Sequence, residues 1–322
     1  MLCKILFSIS LLGVMLNTTA LPLALRSPVA VVCHDAGAAN LVFAWLSEWA
    51  AVGLLDQHEI RLLLQGPAEK AWQLESVPLL QIQSRTELSS AVAGCQSVLT
   101  GTGWASSLEH DARQLAATLH IPSIAVIDHW VNYTQRFERD GVVAMPNQIW
   151  VSDGYAVEMA TKLFKDILIV ELPNTYLENL VKSIPPITED CKNLLYVLEP
   201  IRNDWGRGRP GEFQALDFFV NSLEMVVGQE PVHITLRPHP SDPPDKYNDW
   251  LKAHSSLDIA LDSQNGLNEA ISQARWVVGA ETFAMVVASA AGRKTYSSLP
   301  PWANRCSLPI SDIIHLRDLV EG

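Results

Sequence analysis

Short apolar runs alternate with helical patterns along this chain from Pro28 onward. Val29–Cys33 (VAVVC) is a continuous apolar run, which is typical of a strand buried on both faces. In the stretch that follows it, apolar residues recur at spacings of three and four: Leu41, Val42, Trp45, Leu46, Trp49 and Val52. This spacing predicts a helix with one apolar face, and Gly53 is a suitable residue to end it.

The same alternation continues through a first domain. Apolar runs predict further strands at residues 60–64, 79–83, 97–100, 123–127, 148–151 and 167–170, with helical patterns between several of them. Strands separated by crossover helices form a mostly parallel sheet that is covered on both faces. In such a sheet, ligands bind near the carboxyl ends of the strands.

The pattern stops at residues 171–191, where prolines punctuate the chain, and then starts again. Strands are predicted at 193–198, 232–237, 257–261, 276–279 and 294–298, and helices at 212–227, 245–253, 267–273 and 282–291. We therefore predict an α/β protein of two Rossmann-like, doubly wound domains facing across a cleft. The N-terminal domain covers residues 27–175, a linker covers 176–190, and the C-terminal domain covers 191–322.

Residues 1–26 differ from the rest of the chain. Lys4 and Arg26 are the only charged residues there, and the run from residue 5 to residue 16 is uncharged and mostly apolar. This leader resembles a secretory signal or an anchor, and its apolar run is shorter than the roughly 20 residues that cross a bilayer. A mis-assigned start codon explains it equally well. We expect a cytoplasmic protein, with peripheral membrane association through the leader or secretion as alternatives.

The composition excludes several classes of protein. The chain has 322 residues, a formal charge of −12, 48 % apolar residues and 18 % charged residues. Such an apolar chain is expected to be folded, and its acidity argues against binding nucleic acid through a basic surface. The five cysteines form no C-x-x-C pair and have no histidine at zinc-ligand spacing. The cysteines thus indicate no metal site, and we expect no cofactor.

The acidic charge is uneven. Residues 27–180 contain 8 basic and 17 acidic side chains, whereas residues 181–322 contain 13 and 18. The C-terminal domain thus has the smaller negative charge and repels phosphate less. Its strongest motif is LRPHP at 236–240. Arg237 and His239 lie at the carboxyl end of a predicted strand. The planar guanidinium of an arginine is suited to binding phosphate, and a histidine can donate a proton. A proline-rich turn with a loop-capping histidine remains the alternative.

Three other places in the C-terminal domain have a suitable chemistry. Glu281 and Thr282 lie where a strand ends and a helix begins, so that backbone N–H groups and a hydroxyl can bind an anion or a sugar. Ser297 and Ser298 end the following strand at the same sheet edge. The loop at 199–209 carries Arg202 among three arginines and could wrap a diphosphate. A helix cap in the first case and a solvated loop in the last are the alternatives.

The first domain offers carboxylates after three predicted strands. Asp35 follows the first strand within HDAG, Glu109 follows TGTGW, and Asp128 and His129 follow the strand at 123–127. The three carboxylates are candidate general bases, and Asp35 is the preferred one because it precedes a glycine turn at the strand end. Hydrogen bonds that merely hold the loop are the alternative for Asp128. No complete G-x-G-x-x-G and no P-loop is present.

The order of these motifs resembles that of a known group of proteins. DAGAANLVFAWL (35–46), TGTGWASSLEHDARQLA (100–116), IAVIDHWVNYTQRF (124–137), LRPHP (236–240) and VVGAETFAMVVASAAGRKTYSSLP (277–300) together resemble bacterial capsule and surface-polysaccharide biosynthesis proteins. These are glycosyltransferase-like proteins of the GT-B architecture, distantly similar to nucleotide-sugar 2-epimerases and to sialyltransferases with an HP motif. The resemblance covers about residues 28–315.

The resemblance implies a function. His239-Pro240 matches the HP motif that contacts the donor phosphate in those transferases, and Asp35 takes the place of the base, although the acidic pair of the sialyltransferase base motif is missing. It implies inverting transfer without metal, from a nucleotide sugar to a glycan or lipid-linked acceptor. A nucleotide-sugar epimerase or hydrolase on the same fold, and a non-catalytic glycan- or nucleotide-binding protein, are the alternatives.

Overall fold

The computed structural model describes residues 14–15, 22, 24–74, 82–188, 190–262 and 266–320. It divides the chain into two compact units, residues 1–176 and 177–322. Most of the predicted leader lies outside the described residues. In the part of the chain that is described, no helix is both long and apolar enough to cross a membrane.

The N-terminal unit is built on an eight-stranded sheet. Its strands are β1 (Val14–Met15), β2 (Val29–Cys33), β3 (Ile60–Leu64), β4 (Ile82–Ser84), β5 (Ser97–Thr100), β6 (Ser123–Val126), β9 (Gln148–Val151) and β10 (Leu168–Glu171). Every neighbouring pair is parallel, and the order is β1-β10-β9-β6-β5-β2-β3-β4. A small antiparallel hairpin of β7 (Glu138–Arg139) and β8 (Val142–Val143) stands apart from this sheet.

Helices connect these strands. They are α1 (Ala36–Ala51), α2 (Pro67–Leu74), α3 (Leu88–Val92), α4 (Leu108–Thr118) and α5 (Gly154–Leu163), with a 3-10 turn at Gln135–Phe137. Helix α6 (Thr175–Lys182) follows the last strand and begins at the boundary between the two units. Helix α1 has the predicted apolar face and ends just before Gly53, whose φ of 76° suits glycine. All five residues of β2 are buried, as a strand covered on both faces requires.

Three tryptophans lie at the centre of the largest core of this unit. Trp45 and Trp49 on α1 meet Trp150 on β9, with ring centroids 6.0 to 6.4 Å apart, and none of the three exceeds 1 % exposure. Because buried aromatic rings remove a large apolar area from water, this cluster fixes α1 against the sheet. The Trp45 indole also donates a 2.8 Å hydrogen bond to the carbonyl of Pro173.

The C-terminal unit has a six-stranded sheet with every pair parallel. Its strands are β11 (Asn193–Val197), β12 (His233–Arg237), β13 (Ile259–Leu261), β14 (Trp276–Gly279), β15 (Lys294–Ser297) and β16 (Ile313–His315), in the order β13-β12-β11-β14-β15-β16. Its helices are α7 (Gly211–Asn221), α8 (Leu223–Val227), α9 (Asn248–Ala253), α10 (Leu267–Ser272), α11 (Phe283–Ala290) and α12 (Leu316–Val320). The prediction of an α/β protein with two doubly wound sheets is confirmed.

A few predicted elements differ in detail. The helix predicted over 212–227 is two helices, α7 and α8, interrupted at Ser222. The strand predicted at 79–83 lies partly outside the described residues, and β4 occupies 82–84. The segment predicted as a linker contains most of α6, and Leu177 and Leu180 on that helix pack against a core of the C-terminal unit. Strand β16 and the β7–β8 hairpin are additions to the predicted set.

Candidate functional site

In each sheet, a central strand marks a point where successive strands are added first on one side and then on the other. In the N-terminal unit, β2 is flanked by β3 on one side and β5 on the other, so the loops after β2 and β5 diverge from the same edge. In the C-terminal unit, β11 is flanked in the same way by β12 and β14. In open α/β sheets, ligands bind outside the carboxyl ends of the strands at this switch point. The predicted site residues follow these strands or their neighbours.

Glu109 joins the two loops at the N-terminal switch point. It lies in the first turn of α4 and is 1 % exposed. One of its oxygens accepts a 2.9 Å hydrogen bond from the backbone N–H of His34, after β2, and the other accepts from the N–H of Gly103, after β5. Burial raises the pKa of Glu109. Because both oxygens hold backbone groups, this carboxyl is suited to fixing the loops and less to exchanging protons with a substrate.

Asp35 lies at the start of α1, beside the Glu109 bridge. It occupies the N-cap position but makes no capping hydrogen bond with its side chain. Burial, and after it the charge of Asp128, raise the pKa of Asp35. A carboxyl with a raised pKa can take up and release a proton closer to neutral pH, as a general base must.

Asp128 fits against the first turn of α1. Its Oδ1 accepts a 2.9 Å hydrogen bond from the guanidinium of Arg136, which also donates to the Thr102 hydroxyl at 3.1 Å. A methyl group on Gly37 would lie 1.8 Å from Asp128 Oδ2, so only glycine leaves room for this carboxylate. The structure thus brings Asp35, Glu109 and Asp128 to one sheet edge.

His129 lies next to Asp128 but belongs to a different set of contacts. Its ring is 5.3 Å from the ring of Trp130, whose indole N–H donates to both oxygens of Asp153 at 3.0 and 3.1 Å. Asp153 in turn caps α5 by accepting from the N–H of Ala156. These contacts tie the loop after β6 to α5, which favours a positioning role for this part of the motif.

Two arginines at this edge were not among the predicted site residues. Arg136 neutralises Asp128, and Arg113 on α4 is 1 % exposed. Arg113 donates to the carbonyls of Gly101 and Ala144 and to the Thr100 hydroxyl, at 2.9 to 3.0 Å. Burial lowers the pKa of Arg113 to about 10. The only sequence signal for Arg113 is its position four residues after Glu109, on the same face of a predicted helix.

In the C-terminal unit, Arg237 ends β12 as predicted but is already in an ion pair. Its guanidinium contacts the carboxylate of Asp262, which follows the neighbouring strand β13 and whose side chain is 8 % exposed. His239 is exposed, and its Nδ1 lies 2.7 Å from the Ser241 hydroxyl. The His239 N–H donates to Asp242, which accepts from Lys246 as well. The LRPHP loop is therefore a well-ordered structure with its histidine facing solvent.

The arginine loop after β11 is also ordered. Asp204 holds it by accepting from the N–H groups of Gly206 and Gly208, which have φ of 75° and 71°. The Gln214 amide closes it further by donating to the carbonyls of Asp204 and Arg209. Arg202 is exposed at the beginning of this loop. An ordered loop loses less conformational entropy when it binds a ligand than a flexible one does.

Glu281 and Thr282 lie just after β14, and both side chains already accept hydrogen bonds from nearby residues. The Thr282 hydroxyl accepts from the Ala284 N–H at 3.4 Å, as the cap of α11, and Glu281 accepts from the N–H and the hydroxyl of Ser307 at 3.0 and 2.9 Å. The Glu281 N–H donates to Glu199, whose pKa is raised by burial. The Glu281 carboxylate therefore already holds the loop that contains Ser307, within its own unit.

Ser297 and Ser298 are buried instead of facing outward. Their hydroxyls donate to the carbonyls of Ala280 and Gly279 at 2.7 and 3.1 Å, and the Ser298 hydroxyl also lies 2.8 Å from the Tyr196 hydroxyl. Neither serine is more than 1 % exposed. In this structure both hydroxyls secure the end of β14, and they present no group to a ligand at the sheet edge.

Known proteins resemble this chain in structure and not in sequence. No protein-family profile matches the chain, and no curated protein sequence matches it. A UDP-GlcNAc 2-epimerase from Methanocaldococcus jannaschii, in complex with UDP-GlcNAc and UDP, superimposes with a TM-score of 0.58 at 10 % identity, over 91 % of each chain.

Two further solved structures give the same result. A UDP-GlcNAc 2-epimerase from Neisseria meningitidis, bound to UDP-GlcNAc, has a TM-score of 0.56 at 10 % identity and covers 84 % of this chain and 81 % of its own. A protein described as a UDP-N-acetylglucosamine 2-epimerase from Listeria monocytogenes has a TM-score of 0.58, with 84 % and 79 % covered. At this identity the similarity concerns the fold, and the chain thus has a fold similar to that of nucleotide-sugar 2-epimerases.

Proposed function

We propose that this protein is an enzyme acting on nucleotide sugars, and that it transfers the sugar from its nucleotide-activated donor to a glycan or lipid-linked acceptor. The observation that carries the proposal is the pair of Asp35 and Asp128 at the N-terminal switch point. There a carboxyl with a raised pKa lies next to a second carboxylate that an arginine neutralises. The fold supports it too, because two of the similar structures contain UDP-GlcNAc.

The donor is assigned to the C-terminal unit. Its diphosphate would contact Arg202 and His239, which are exposed near the carboxyl ends of β11 and β12. Arg237 would add charge only in part, since Asp262 already pairs with it. Glu281 and Thr282 lie after the adjacent strand β14, where they could meet the ribose or the sugar. Ser297 and Ser298 are left out of this assignment because their hydroxyls are engaged within the fold.

The reaction itself needs one proton acceptor and a stable leaving group. Asp35 takes the proton from an acceptor hydroxyl, whose oxygen forms a bond to the anomeric carbon of the donor sugar. The bond from that carbon to the diphosphate oxygen breaks, and the nucleoside diphosphate leaves with the electron pair. Positive groups such as Arg202 stabilise the charge that develops on the leaving oxygen. The resemblance to metal-independent transferases implies that no metal takes part.

Epimerisation or hydrolysis of the nucleotide sugar is the second candidate. The observation favouring it is that the similar solved structures named above are described as UDP-GlcNAc 2-epimerases. Both candidates use a carboxyl group for proton transfer and a bound nucleotide sugar. They differ in whether an acceptor is consumed, which a product analysis decides.

Binding is tested first. In a thermal-shift series with UDP, GDP and their sugar conjugates, at least one nucleotide should raise the melting temperature. Arg202→Ala should remove the response, whereas Lys252→Ala, which alters a cation with 79 % side-chain exposure in the same unit, should leave it intact. If no nucleotide stabilises the protein, both enzymatic candidates lose their support.

Turnover is tested with the nucleotide sugar that binds. The wild-type protein should release the nucleoside diphosphate only when a glycan or lipid-linked acceptor is present, and it should do so in EDTA. Asp35→Asn should bind the donor but lose at least about 100-fold in rate, the typical contribution of a general base. Conversion or hydrolysis of the sugar without an acceptor would identify the epimerase or hydrolase instead.

A further inference from the structure

Trp104 is a half-exposed tryptophan at the edge that carries the proposed base. It is 49 % exposed and lies in the loop after β5, directly following Gly103. Among the described residues, its indole forms no hydrogen bond, no ring–ring pair and no cation–π pair. Removing a large aromatic side chain from water lowers the free energy, so a ligand that covers this indole would gain affinity from the contact.

Trp302 shows what an exposed tryptophan looks like when it serves the fold. It is 41 % exposed, but the guanidinium of Arg207 lies 4.0 Å from its ring centroid and its N–H donates to Gln214 at 2.8 Å. The ring of Phe218 contacts it edge-on at 6.1 Å. The Trp302 ring thus has partners within its own unit, whereas the Trp104 ring has no such hydrogen-bond or stacking partner among the described residues.

The backbone of Trp104 is held in place although its side chain is exposed. The guanidinium of Arg139 donates to the carbonyl of Trp104 at 3.0 Å and to that of Gly103 at 3.2 Å. The Gly103 N–H is held by Glu109. A rigidly held aromatic surface offers contact area without loss of backbone freedom on binding, which is how preorganised sites gain affinity.

Trp104 is also close to Asp35. A methyl group on Gly103 would lie 2.6 Å from the Asp35 Cβ. Adding one C–C bond and the 3.8 Å between successive Cα atoms places the Trp104 Cα at most about 8 Å from the Asp35 Cβ. An indole covers most of such a distance, and a pyranose ring lying on the indole can bring one of its hydroxyls to the carboxylate.

We propose that Trp104 is the surface on which a sugar ring of the acceptor stacks, so that one hydroxyl of that ring reaches Asp35. The acceptor end is then a pyranose, whose C–H groups lie on the indole face and whose hydroxyls remain free for hydrogen bonding. This inference rests on the proposed function for the role of Asp35, but the stacking itself is a binding event that can be measured without turnover.

The first test measures binding alone. The full chain is labelled with 5-fluorotryptophan at its ten tryptophans, and the fluorine signals of Trp104 and Trp302 are assigned from Trp104→Phe and Trp302→Phe. Methyl glucoside, methyl galactoside and methyl N-acetylglucosaminide are then added up to 100 mM. At least one glycoside should shift the Trp104 signal with millimolar affinity and leave the Trp302 signal unchanged. If none shifts it, or if farnesyl phosphate shifts it and no glycoside does, the proposal is wrong.

The second test uses turnover, once a donor and acceptor are known. Trp104→Ala should raise the KM for the acceptor about tenfold while the KM for the donor stays unchanged. Trp104→Phe should restore most of the acceptor affinity, and Trp302→Phe should not affect it. An unchanged acceptor KM in Trp104→Ala would overturn the proposal. Failure of the proposed function would instead appear as no nucleotide response in the thermal-shift series, while the fluorine signal still reports whether a sugar stacks on Trp104.

Discussion

Replacing Gly37 by alanine tests whether the carboxylate of Asp128 is held against α1 as the structure shows. The new methyl group would lie 1.8 Å from Asp128 Oδ2, whereas ordinary contact begins near 3.4 Å, so the carboxylate must retreat by about 1.6 Å. Its other oxygen is held 2.9 Å from Arg136, whose side chain is only 5 % exposed. A retreat of that size cannot preserve this hydrogen bond.

The expected change in the free energy of unfolding combines the loss of the Asp128–Arg136 ion pair with the gain from placing alanine in a helix. Breaking a buried ion pair costs 3–5 kcal/mol, and about 2–3 kcal/mol is expected here because Asp128 is partly exposed and Arg136 keeps its bonds to Thr102 and Val131. Alanine in place of glycine stabilises a helix by up to about 1 kcal/mol. We therefore expect Gly37→Ala to lower the free energy of unfolding by about 1–2 kcal/mol.

Gly154 provides the matched control. It is the first residue of α5 in the same unit, and a methyl group there meets no atom within 4 Å. Gly154→Ala should be neutral or stabilising by up to about 1 kcal/mol. Urea unfolding followed by tryptophan fluorescence gives both values, and equal m-values show that the unfolded states are comparable. If Gly37→Ala is no less stable than Gly154→Ala, the placement of Asp128 is wrong.

Three further predictions concern other parts of the site. Burial and Asp128 raise the pKa of Asp35, so the folded protein binds the proton of this carboxyl more tightly than the unfolded chain does. The stability that this proton binding provides is complete below the unfolded pKa of about 3.9 and is lost as the pH rises through the folded pKa. Asp35→Asn should therefore gain stability relative to the wild type as the pH rises above 4. If urea unfolding gives the same difference in free energy of unfolding between the two proteins at every pH from 4 to 8, this prediction is contradicted. Ser298→Ala should cost about 1–3 kcal/mol, because it leaves the buried Tyr196 hydroxyl without its partner, and the melting-temperature response to nucleotide should not change. Gln214→Ala should loosen the arginine loop and speed its cleavage by trypsin near Arg207, with limited proteolysis of the wild type as the reference.

The fold was largely predictable because its signals are local. A strand such as Val29–Cys33 is buried on both faces and is therefore apolar without interruption, and α1 shows its buried face through spacings of three and four. The interruption at Ser222 has no such signal, since apolar residues continue on both sides of it. Strand β16 is only three residues long, too short for a period to be recognised.

The site was predictable only in part because its contacts are distant in sequence. The topology alone brings Asp35 and Asp128 to one sheet edge, but the pairing of Asp128 with Arg136 depends on the course of a loop. The burial of Ser297 could not be foreseen from its position at a strand end. It follows from the carbonyl of Ala280, which lies beyond the β14 ladder and needs a donor.

The bridge made by Glu109 has a consequence for the thermodynamics of binding. Fixing the backbone of one loop residue costs about 1–2 kcal/mol of conformational entropy, and the loops after β2 and β5 lose this freedom when the protein folds. A ligand at this edge meets loops that are already immobile, so its binding should show a small entropic penalty and a small change in protein dynamics. Weak, single-sugar ligands can then be held by few contacts, since almost none of their interaction energy is needed to order the protein.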